Sequence, residues 1–202
     1  ALGINLILKR WPVEGIAAGL TAGSDTPSGG RLFFFVPWRG VTMAGTYYRP
    51  HEGPVDSAAV TDEDIDAYLA ALNSCYPGVD LTRDDILLIH AGVIPATRAA
   101  RAGEEPPLLR HYRLIDHGSA DGVDGLLTVL GIKYTTARDV AQRTVTHAIA
   151  RLDGPVVAST TSARPLMGDV LGDLADFRSA SFDRYSTHTS PAAIERLLRL
   201  YG

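Results

Sequence analysis

The residues best suited to chemistry lie where a predicted strand meets a predicted helix, at Gly131-Ile132-Lys133-Tyr134-Thr135-Thr136. A strand that leads into a helix N-terminus presents backbone N–H groups that have no partner within the helix. Together with the helix dipole, these donors favour an anion, or a ligand oxygen on which negative charge develops. Lys133 is one of only two lysines in the chain and adds a full positive charge. The local pattern leaves open an ordinary strand–helix junction with an exposed lysine.

His90 is the best placed of the six histidines, because it directly follows the apolar segment 86–89. Imidazole titrates near neutral pH, so a histidine at a strand end can serve as a general base. A purely structural role for a lone histidine stays open. The hydroxyl run 159–162 has no identifiable base beside it, so the sequence gives no support for nucleophilic catalysis there.

Several familiar ligand sites are missing from the sequence. Neither Gly-x-Gly-x-x-Gly nor Gly-x-x-x-x-Gly-Lys-Ser/Thr occurs. His111 and His117 flank a predicted strand, but no group of histidines, cysteines and carboxylates has the spacing of metal ligands, so we predict no metal site. The stretch Arg39–Arg49, with Tyr47, Tyr48 and the nearby His51, has the residue types that stack nucleic-acid bases, yet the alternating face of a hairpin explains it more simply.

Composition and charge favour a globular protein of a reducing compartment. The 202 residues carry a formal net charge of −4, which gives no reason to expect a nucleic-acid partner. The single cysteine, Cys75, cannot form an internal disulfide. The longest strongly apolar run, 32–38, is far shorter than the ~20 residues that span a bilayer. We therefore expect a cytoplasmic location.

Hydrophobic periodicity and turn residues predict an α+β fold with an antiparallel sheet. Strands are predicted at 3–10, 32–38, 41–47, 86–89, 112–115 and 125–130. The two-residue turn Arg39-Gly40 joins two of them into a hairpin. Helices are predicted after the capping boxes Thr61–Asp64 and Thr136–Asp139 and after Ser190-Pro191. Segments 20–31 and 155–185 are predicted to be turns and loops.

Several segments, in one order along the chain, carry a resemblance to a known family. They are Gly3–Leu6, Arg31–Gly40, Gly45-Thr46, Thr61–Ile65, Leu81–Ile86, Ala91–Val93, Gly131–Arg138 and Ser190–Gly202. With them the chain resembles the FAD-dependent glycerol-3-phosphate dehydrogenases, within the wider group of D-amino-acid-oxidase-like flavoenzymes. The pair formed by Phe-Val-Pro-Trp-Arg-Gly and Lys-Tyr-Thr-Thr-x-Arg is the most specific part of the match.

The resemblance implies how the chain is organised. It implies a substrate-binding antiparallel sheet region at 1–118, the closing strand–helix of an FAD-binding domain at 119–154, and the start of a C-terminal helical domain at 155–202. The glycine fingerprint that holds the FAD pyrophosphate in such enzymes is missing here. We therefore expect a fragment that is inactive alone and whose partner is the remainder of its own chain.

The resemblance also implies a reaction and the residues that serve it. A secondary alcohol of a polyol phosphate would lose hydride to flavin, and the electrons would pass to a quinone or to oxygen. His90 would lie beside the pocket as the candidate base, and Arg110 would bind phosphate. Asn5 and Ile94 would occupy the positions of a substrate-side histidine and a substrate arginine. Residues 131–136 would contact the N1–C2 carbonyl edge of the flavin, where negative charge gathers on reduction.

The departures from the family pattern leave the substrate open. Ile94 removes an arginine clamp for phosphate. Gly45-Thr-Tyr-Tyr48 stands in place of Gly-Thr-Thr-Asp, and Gly131-Ile-Lys133 in place of Gly-Gly-Lys. An amine or 2-hydroxy-acid oxidase of the same superfamily, or a non-catalytic binding module, are the alternatives. By analogy with the family, contact with the inner face of a membrane also stays open.

Overall fold

The computed structural model describes residues 1–9, 15–24, 29–76, 78–101, 104–131, 133–152, 155, 157–166 and 172–201. The chain divides into two compact units, which are described separately. The first unit comprises Ala1–Asp116 with Thr128–Lys133, and the second comprises His117–Leu127 with Tyr134–Gly202. The division into three functional segments that the resemblance implies stays a prediction.

A five-stranded antiparallel sheet forms the centre of the first unit. Its strands lie in the order β2 (Ala18–Thr21), β3 (Leu32–Trp38), β4 (Val41–Arg49), β1 (Leu2–Leu8) and β5 (Ile86–Val93). Each neighbouring pair is antiparallel, which confirms the predicted α+β class. The β3–β4 turn forms at Arg39 and Gly40, both of which have positive φ, as a tight two-residue hairpin requires.

One face of this sheet carries the hydrophobic core. Alternate residues of β1 point to this face, and all four apolar ones are fully buried there: Leu2, Ile4, Leu6 and Leu8. Helix α1 (Asp62–Cys75) belongs to the same hydrophobic cluster, chiefly through Tyr68, whose ring lies 5.5 Å from that of Phe33. Burial raises the pKa of the Tyr68 hydroxyl well above its ordinary value. The opposite face of the sheet is more open, and Phe34 and Trp38 of β3 are both more than half exposed.

The start of α1 is fixed by the capping box that the sequence predicts. Thr61 Oγ1 accepts a hydrogen bond from the Asp64 amide, and the Asp64 carboxylate accepts one from the Thr61 amide. Asp64 also pairs with Arg49 at the end of β4, at a Nε–Oδ1 distance of 2.7 Å. This buried carboxylate therefore ties the helix to the sheet.

The second unit is mainly helical. It contains α2 (His117–Ala120), α3 (Ala137–Ile149), α4 (Leu174–Tyr185) and α5 (Pro191–Tyr201). Among its described residues, the buried side chains are those of Val140, Ser181 and Ile194. The predicted start of α5 is confirmed, since Ser190 Oγ accepts a hydrogen bond from the Ala193 amide. Strands β6 (Arg113–Asp116) and β7 (Leu127–Leu130) form a separate two-stranded sheet, which belongs to the first unit except for Leu127.

Three sequence predictions of local structure are wrong. Residues 20 and 21, predicted to be turn material, belong to the strand Ala18–Thr21, because the hydrophobic partner Phe33–Phe35 supplies the pairing that the short segment cannot signal alone. Residues 174–185 form α4 rather than a loop, and Asp173 caps it by accepting from the Ala175 and Asp176 amides. Thr136 makes no capping hydrogen bond, because a 3-10 turn at Tyr134–Thr136 precedes α3 and gives Thr136 a non-extended backbone.

Candidate functional site

Asn5 lies on the open face of the sheet, opposite the core. In β1 it alternates with the buried leucine and isoleucine side chains, so its amide points away from the core. Thr46 Oγ1 lies 2.8 Å from Asn5 Oδ1 and donates a hydrogen bond to it. The Asn5 amide group is closely packed, since a Cβ atom on Gly45 would overlap Oδ1 and lie 2.8 Å from Cγ. Gly45 and Thr46 therefore fix the orientation of the Asn5 carboxamide.

The predicted base, His90, shares this face with Asn5. The two residues are direct cross-strand partners in the β1–β5 pairing. Side chains of directly paired residues in an antiparallel sheet project to the same side, with Cβ atoms about 5 Å apart. The His90 side chain is exposed, so it is accessible to a small molecule.

Ile94 follows β5 and completes the same group of residues. A Cβ atom on Gly3 would lie 2.7 Å from Ile94 Cδ1, 3.2 Å from Tyr48 Cε1 and 3.4 Å from Thr46 Cγ2. The isoleucine side chain therefore lies over the bare backbone of Gly3. The structure brings the predicted residues Asn5, His90 and Ile94 onto one sheet face, which has neutral polar and apolar groups at this point.

A second feature of the first unit is an open cavity of about 840 Å³. Two residues predicted for different roles, Arg110 and Lys133, both line it. The remaining lining residues are Thr97, Glu104, Glu105, Pro106, Pro107, Leu108, Leu109, His111, Tyr112 and Arg113. Arg110 and Lys133 are 23 positions apart in sequence, so this juxtaposition is a product of the fold.

The charges around this cavity favour an anion. The two acidic residues of the wall are already paired with arginines, Glu104 with Arg98 at 2.6 Å and Glu105 with Arg31 at 3.0 Å. Hydrogen bonds from the Arg98 side chain and the Arg101 amide lower the pKa of Glu104 to about 2. Within the described parts of the chain, Arg110 has no ion-pair partner. The cavity therefore offers guanidinium and ammonium groups while its carboxylates are neutralised.

The cavity wall is continuous with the sheet-face residues. The Leu109 amide donates to the Pro95 carbonyl at 2.9 Å, and the Thr97 amide donates to the Pro107 carbonyl at 2.8 Å. These two hydrogen bonds and a bridge between Ala96 and Leu108 pair the segment after β5 with the segment before Arg110. As a result, Ile94 directly precedes Pro95 and Arg110 directly follows Leu109, so both adjoin the hydrogen-bonded Pro95–Leu109 pair.

The segment predicted to contact flavin is open to solvent. Gly131 and Lys133 belong to the first unit, and Tyr134, Thr135 and Thr136 belong to the second. All five are exposed, and a Cβ atom on Gly131 would meet nothing within 4 Å. Ile132, which was included in the same prediction, lies outside the described residues.

Arg31 is a residue of this region that the sequence interpretation missed. It directly precedes β3 and shares the side of the strand that carries the buried Phe33 and Phe35. The sequence signal for its burial is its position, because Arg31 continues the alternating pattern of apolar residues on the core side of β3. Arginines that are fully solvated are not expected on that side.

Comparisons with known proteins place the chain among its relatives. No protein-family model matches it. The chain is 32% identical to a curated glycerol-3-phosphate dehydrogenase of Synechocystis over 174 residues, which are 85% of this chain and 30% of the relative. It is 31% identical to the mitochondrial glycerol-3-phosphate dehydrogenase of Schizosaccharomyces pombe over 73% of this chain and 23% of the relative.

A solved structure agrees with these two relatives. The glycerol-3-phosphate dehydrogenase of Bacillus halodurans, complexed with FAD, superimposes with a TM-score of 0.74 at 26% identity. All of this chain and 37% of that chain are covered. The chain belongs to the glycerol-3-phosphate dehydrogenase family. The family resemblance on which the sequence predictions rest is thereby confirmed, and this family member spans about a third of the length of the relatives that it matches.

The structure adds one observation that bears on membranes. None of the helices in the described segments combines the length and the apolar character needed to cross a bilayer.

Proposed function

We propose that the protein functions as an FAD-dependent oxidoreductase that oxidises the secondary alcohol of a polyol phosphate such as glycerol 3-phosphate. The observation that carries this proposal is the joint lining of one cavity by Arg110 and Lys133. A phosphate monoester is a small dianion that the guanidinium of Arg110 binds well, and Lys133 places a second positive charge in the same cavity for the flavin. The family of the relatives supports the reaction class.

The residues at 131–136 suit the carbonyl edge of a flavin ring. A Cβ atom on Gly131 would meet nothing within 4 Å, so a flat ligand can approach the backbone there. Lys133, in the same unit, supplies an ammonium group, and the amides of 134–136 stay predicted donors. FAD, when bound, would supply the acceptor for the hydride that the alcohol carbon loses. Lys133 would stabilise the negative charge that develops on the carbonyl edge.

The sheet face supplies the groups that handle the proton. His90 is exposed and shares its face with Asn5, so it takes the proton of the substrate hydroxyl as the alcohol is oxidised. Asn5 cannot act as a base, because an amide has no basic lone pair at neutral pH. Its carboxamide, fixed by Thr46, orients the substrate hydroxyl by hydrogen bonding.

The remaining roles follow from the same proposal. Arg110 binds the phosphate, a quinone or oxygen takes the electrons, and the protein works in the cytoplasm or at the inner face of a membrane. The phosphate role rests on the cavity, whereas the electron acceptor and the location are proposed from the family of the relatives.

Binding of glycerol 3-phosphate by calorimetry tests the proposal without requiring turnover. Arg110→Ala is expected to weaken binding about tenfold or more, since a charge-assisted phosphate contact is lost. Arg196→Ala, a substitution of an exposed arginine on α5, is the matched control and is expected to leave binding unchanged. Equal affinities of the Arg110→Ala variant and the unaltered protein would rule out the phosphate site.

A dye-reduction assay of the complete enzyme, with excess FAD, tests the role of Lys133. Lys133→Ala is expected to lower the reduction rate more than the substrate affinity, because the ammonium acts on charge that develops during the reaction. The only other lysine, Lys9, donates to the Asp84 backbone carbonyl and provides the control Lys9→Ala. An unchanged single-turnover reduction rate in Lys133→Ala would contradict the assignment.

Ile94 favours a second candidate of the same superfamily, a 2-hydroxy-acid oxidase. Its side chain places a hydrocarbon surface over Gly3 beside the proposed hydroxyl site. A carboxylate carries less charge than a phosphate and can be held by Arg110 alone. Turnover of 2-hydroxy acids without turnover of glycerol 3-phosphate, in the same dye assay, would select this candidate.

A further inference from the structure

Arg31 is a nearly buried cation whose role the proposed chemistry does not use. Its side chain is 10% exposed. The guanidinium carbon lies 5.1 Å from the ring centroid of Tyr47 and 5.8 Å from those of Phe33 and Tyr48. Its two terminal nitrogens lie 3.4 Å from the Tyr48 carbonyl oxygen, at the long limit of hydrogen bonding. We call Phe33, Tyr47 and Tyr48 the aromatic cluster.

The aromatic cluster alone does not compensate the burial of this charge. Arg31 Nε is buried and has no hydrogen-bond partner among the described residues. Burying a cation is costly unless a counter-charge is close. The ion-pair partner of Arg31 is Glu105, with a Nη2–Oε1 distance of 3.0 Å. The rings hold the guanidinium from its sides, and Glu105 neutralises its charge.

Glu105 links this buried arginine to the ligand cavity. It lines the cavity together with Arg110 and Lys133, whereas Arg31 does not. The cavity-wall segment that contains Glu105 continues to Leu109, whose amide donates a hydrogen bond to the Pro95 carbonyl. The wall is thus attached to the end of the sheet by Arg31 and to the segment after β5 by backbone hydrogen bonds.

We propose that Arg31 is a positioning residue that holds the 104–110 wall through Glu105 and so sets the place of Arg110 in the cavity. The importance of Arg110 in this inference rests on the proposed function, whereas the attachment of the wall does not. A guanidinium suits the task because its plane stacks on an aromatic ring while its edge reaches a carboxylate. A lysine offers a point charge without that planar surface.

Glu105→Gln is the sharpest test, because it removes the ion pair and leaves the aromatic cluster intact. We expect the affinity for glycerol 3-phosphate to fall about fivefold, since Arg110 is misplaced rather than lost. Amide hydrogen exchange at Thr97 and Leu109 is expected to accelerate, while exchange in β1 and β4 stays unchanged. Glu63→Gln, at an exposed site in α1, is the matched control.

Two further variants separate positioning from a general structural role. Arg31→Met is expected to reproduce the effect of Glu105→Gln, and Arg31→Lys is expected to fall between Arg31→Met and the unaltered protein. The double variant Arg31→Met/Glu105→Gln is expected to be no weaker in binding than either single variant, because both break one interaction.

The exchange data decide the inference even if glycerol 3-phosphate does not bind. Acceleration at Thr97 and Leu109 alone, in a protein that fails to bind phosphate monoesters, keeps the wall attachment and rejects the proposed function. Unchanged exchange at both amides in Glu105→Gln overturns the inference. So does a uniform acceleration throughout β1 and β4, which would show that the ion pair only stabilises the sheet.

Discussion

The Gly45–Asn5 contact shows how tightly single residues define the proposed hydroxyl site. Gly45 leaves no room for a side chain, because the Asn5 carboxamide occupies the space that a Cβ atom would take. The same carboxamide accepts a hydrogen bond from Thr46. Any side chain at position 45 must therefore displace Asn5 from this orientation.

Gly45→Ala is expected to destabilise the protein by about 1–3 kcal/mol, as overpacking usually does, and to weaken substrate binding as Asn5 moves. Thermal unfolding and calorimetric titration measure the two effects. Gly92→Ala on strand β5 of the same sheet is the control, because a Cβ atom there meets nothing within 4 Å. Equal unfolding temperatures for the two variants would show that Asn5 rotates freely.

At the scale of single residues, the sequence predicts which residues belong to the candidate site better than it predicts which residues contact each other. Strand alternation places Asn5 away from the core, and the family resemblance selects Arg110 and Lys133. The cavity that joins Arg110 to Lys133, and the ion pair of Arg31 with Glu105, depend on contacts between segments distant along the chain. Pattern within a single segment contains no information about those contacts.

Among the elements, helix α1 is attached to the sheet by one buried ion pair. Asp64 is 9% exposed in its side chain, caps the helix and accepts from Arg49 Nε. Arg49 also donates to the Ala59 carbonyl at 2.6 Å. Removing the arginine leaves a buried carboxylate without its counter-charge.

Arg49→Met is accordingly expected to lower the free energy of unfolding by about 2 kcal/mol or more, as measured by urea denaturation. The comparison variant is Arg83→Met. Arg83 pairs with Asp62 and Asp66 at the solvent-exposed start of the same helix, where water screens the charges. If Arg83→Met lowered the free energy of unfolding as much as Arg49→Met, burial would not be what makes the Arg49–Asp64 ion pair stabilising.

The Arg98–Glu104 pair predicts a pH effect with a definite sign. The pKa of Glu104 is lowered from an ordinary value of 4.5 to about 2, so its stabilising contribution is complete above pH 4.5. That contribution is lost as the pH falls through the window towards 2. In thermal unfolding between pH 5 and pH 2, Glu104→Gln is expected to start less stable and to converge with the unaltered protein. Parallel curves across that range would refute the assignment.

Element prediction succeeded for two strong local signals and failed for a strand that depends on pairing and for a weakly amphipathic helix. The capping box at Thr61–Asp64 and the Arg39-Gly40 turn contain their own structural information and were predicted. Strand β2 is four residues long and depends on β3 for its conformation. Helix α4 has a polar sequence with little amphipathic pattern, so only its Asp173 cap marks it.

On the scale of the whole molecule, the chain contains a five-stranded antiparallel sheet but no glycine fingerprint for a dinucleotide. It spans 30% of the Synechocystis relative and 37% of the Bacillus halodurans chain. A strand–helix junction can contact one edge of a flavin, whereas the pyrophosphate of FAD requires a glycine-rich turn of its own.

The 202-residue chain is therefore expected to bind FAD weakly when purified and supplied with the cofactor. Flavin absorbance after gel filtration, compared with the protein concentration, measures the bound fraction. Supplying riboflavin in a parallel sample controls for non-specific adsorption of the ring. A yellow protein with nearly stoichiometric FAD would show that these residues hold the whole cofactor.

The position of β5 at the rim of the five-stranded sheet has a practical consequence. This strand pairs with β1 on one side and carries Leu87, Leu88 and Ile89, all substantially exposed. An apolar edge strand has unpaired backbone N–H and C=O groups, to which a strand from another molecule can hydrogen-bond. Concentrated preparations are thus expected to grow into higher aggregates through this strand, and a lysine in place of Leu88 is the simplest change for keeping them dispersed.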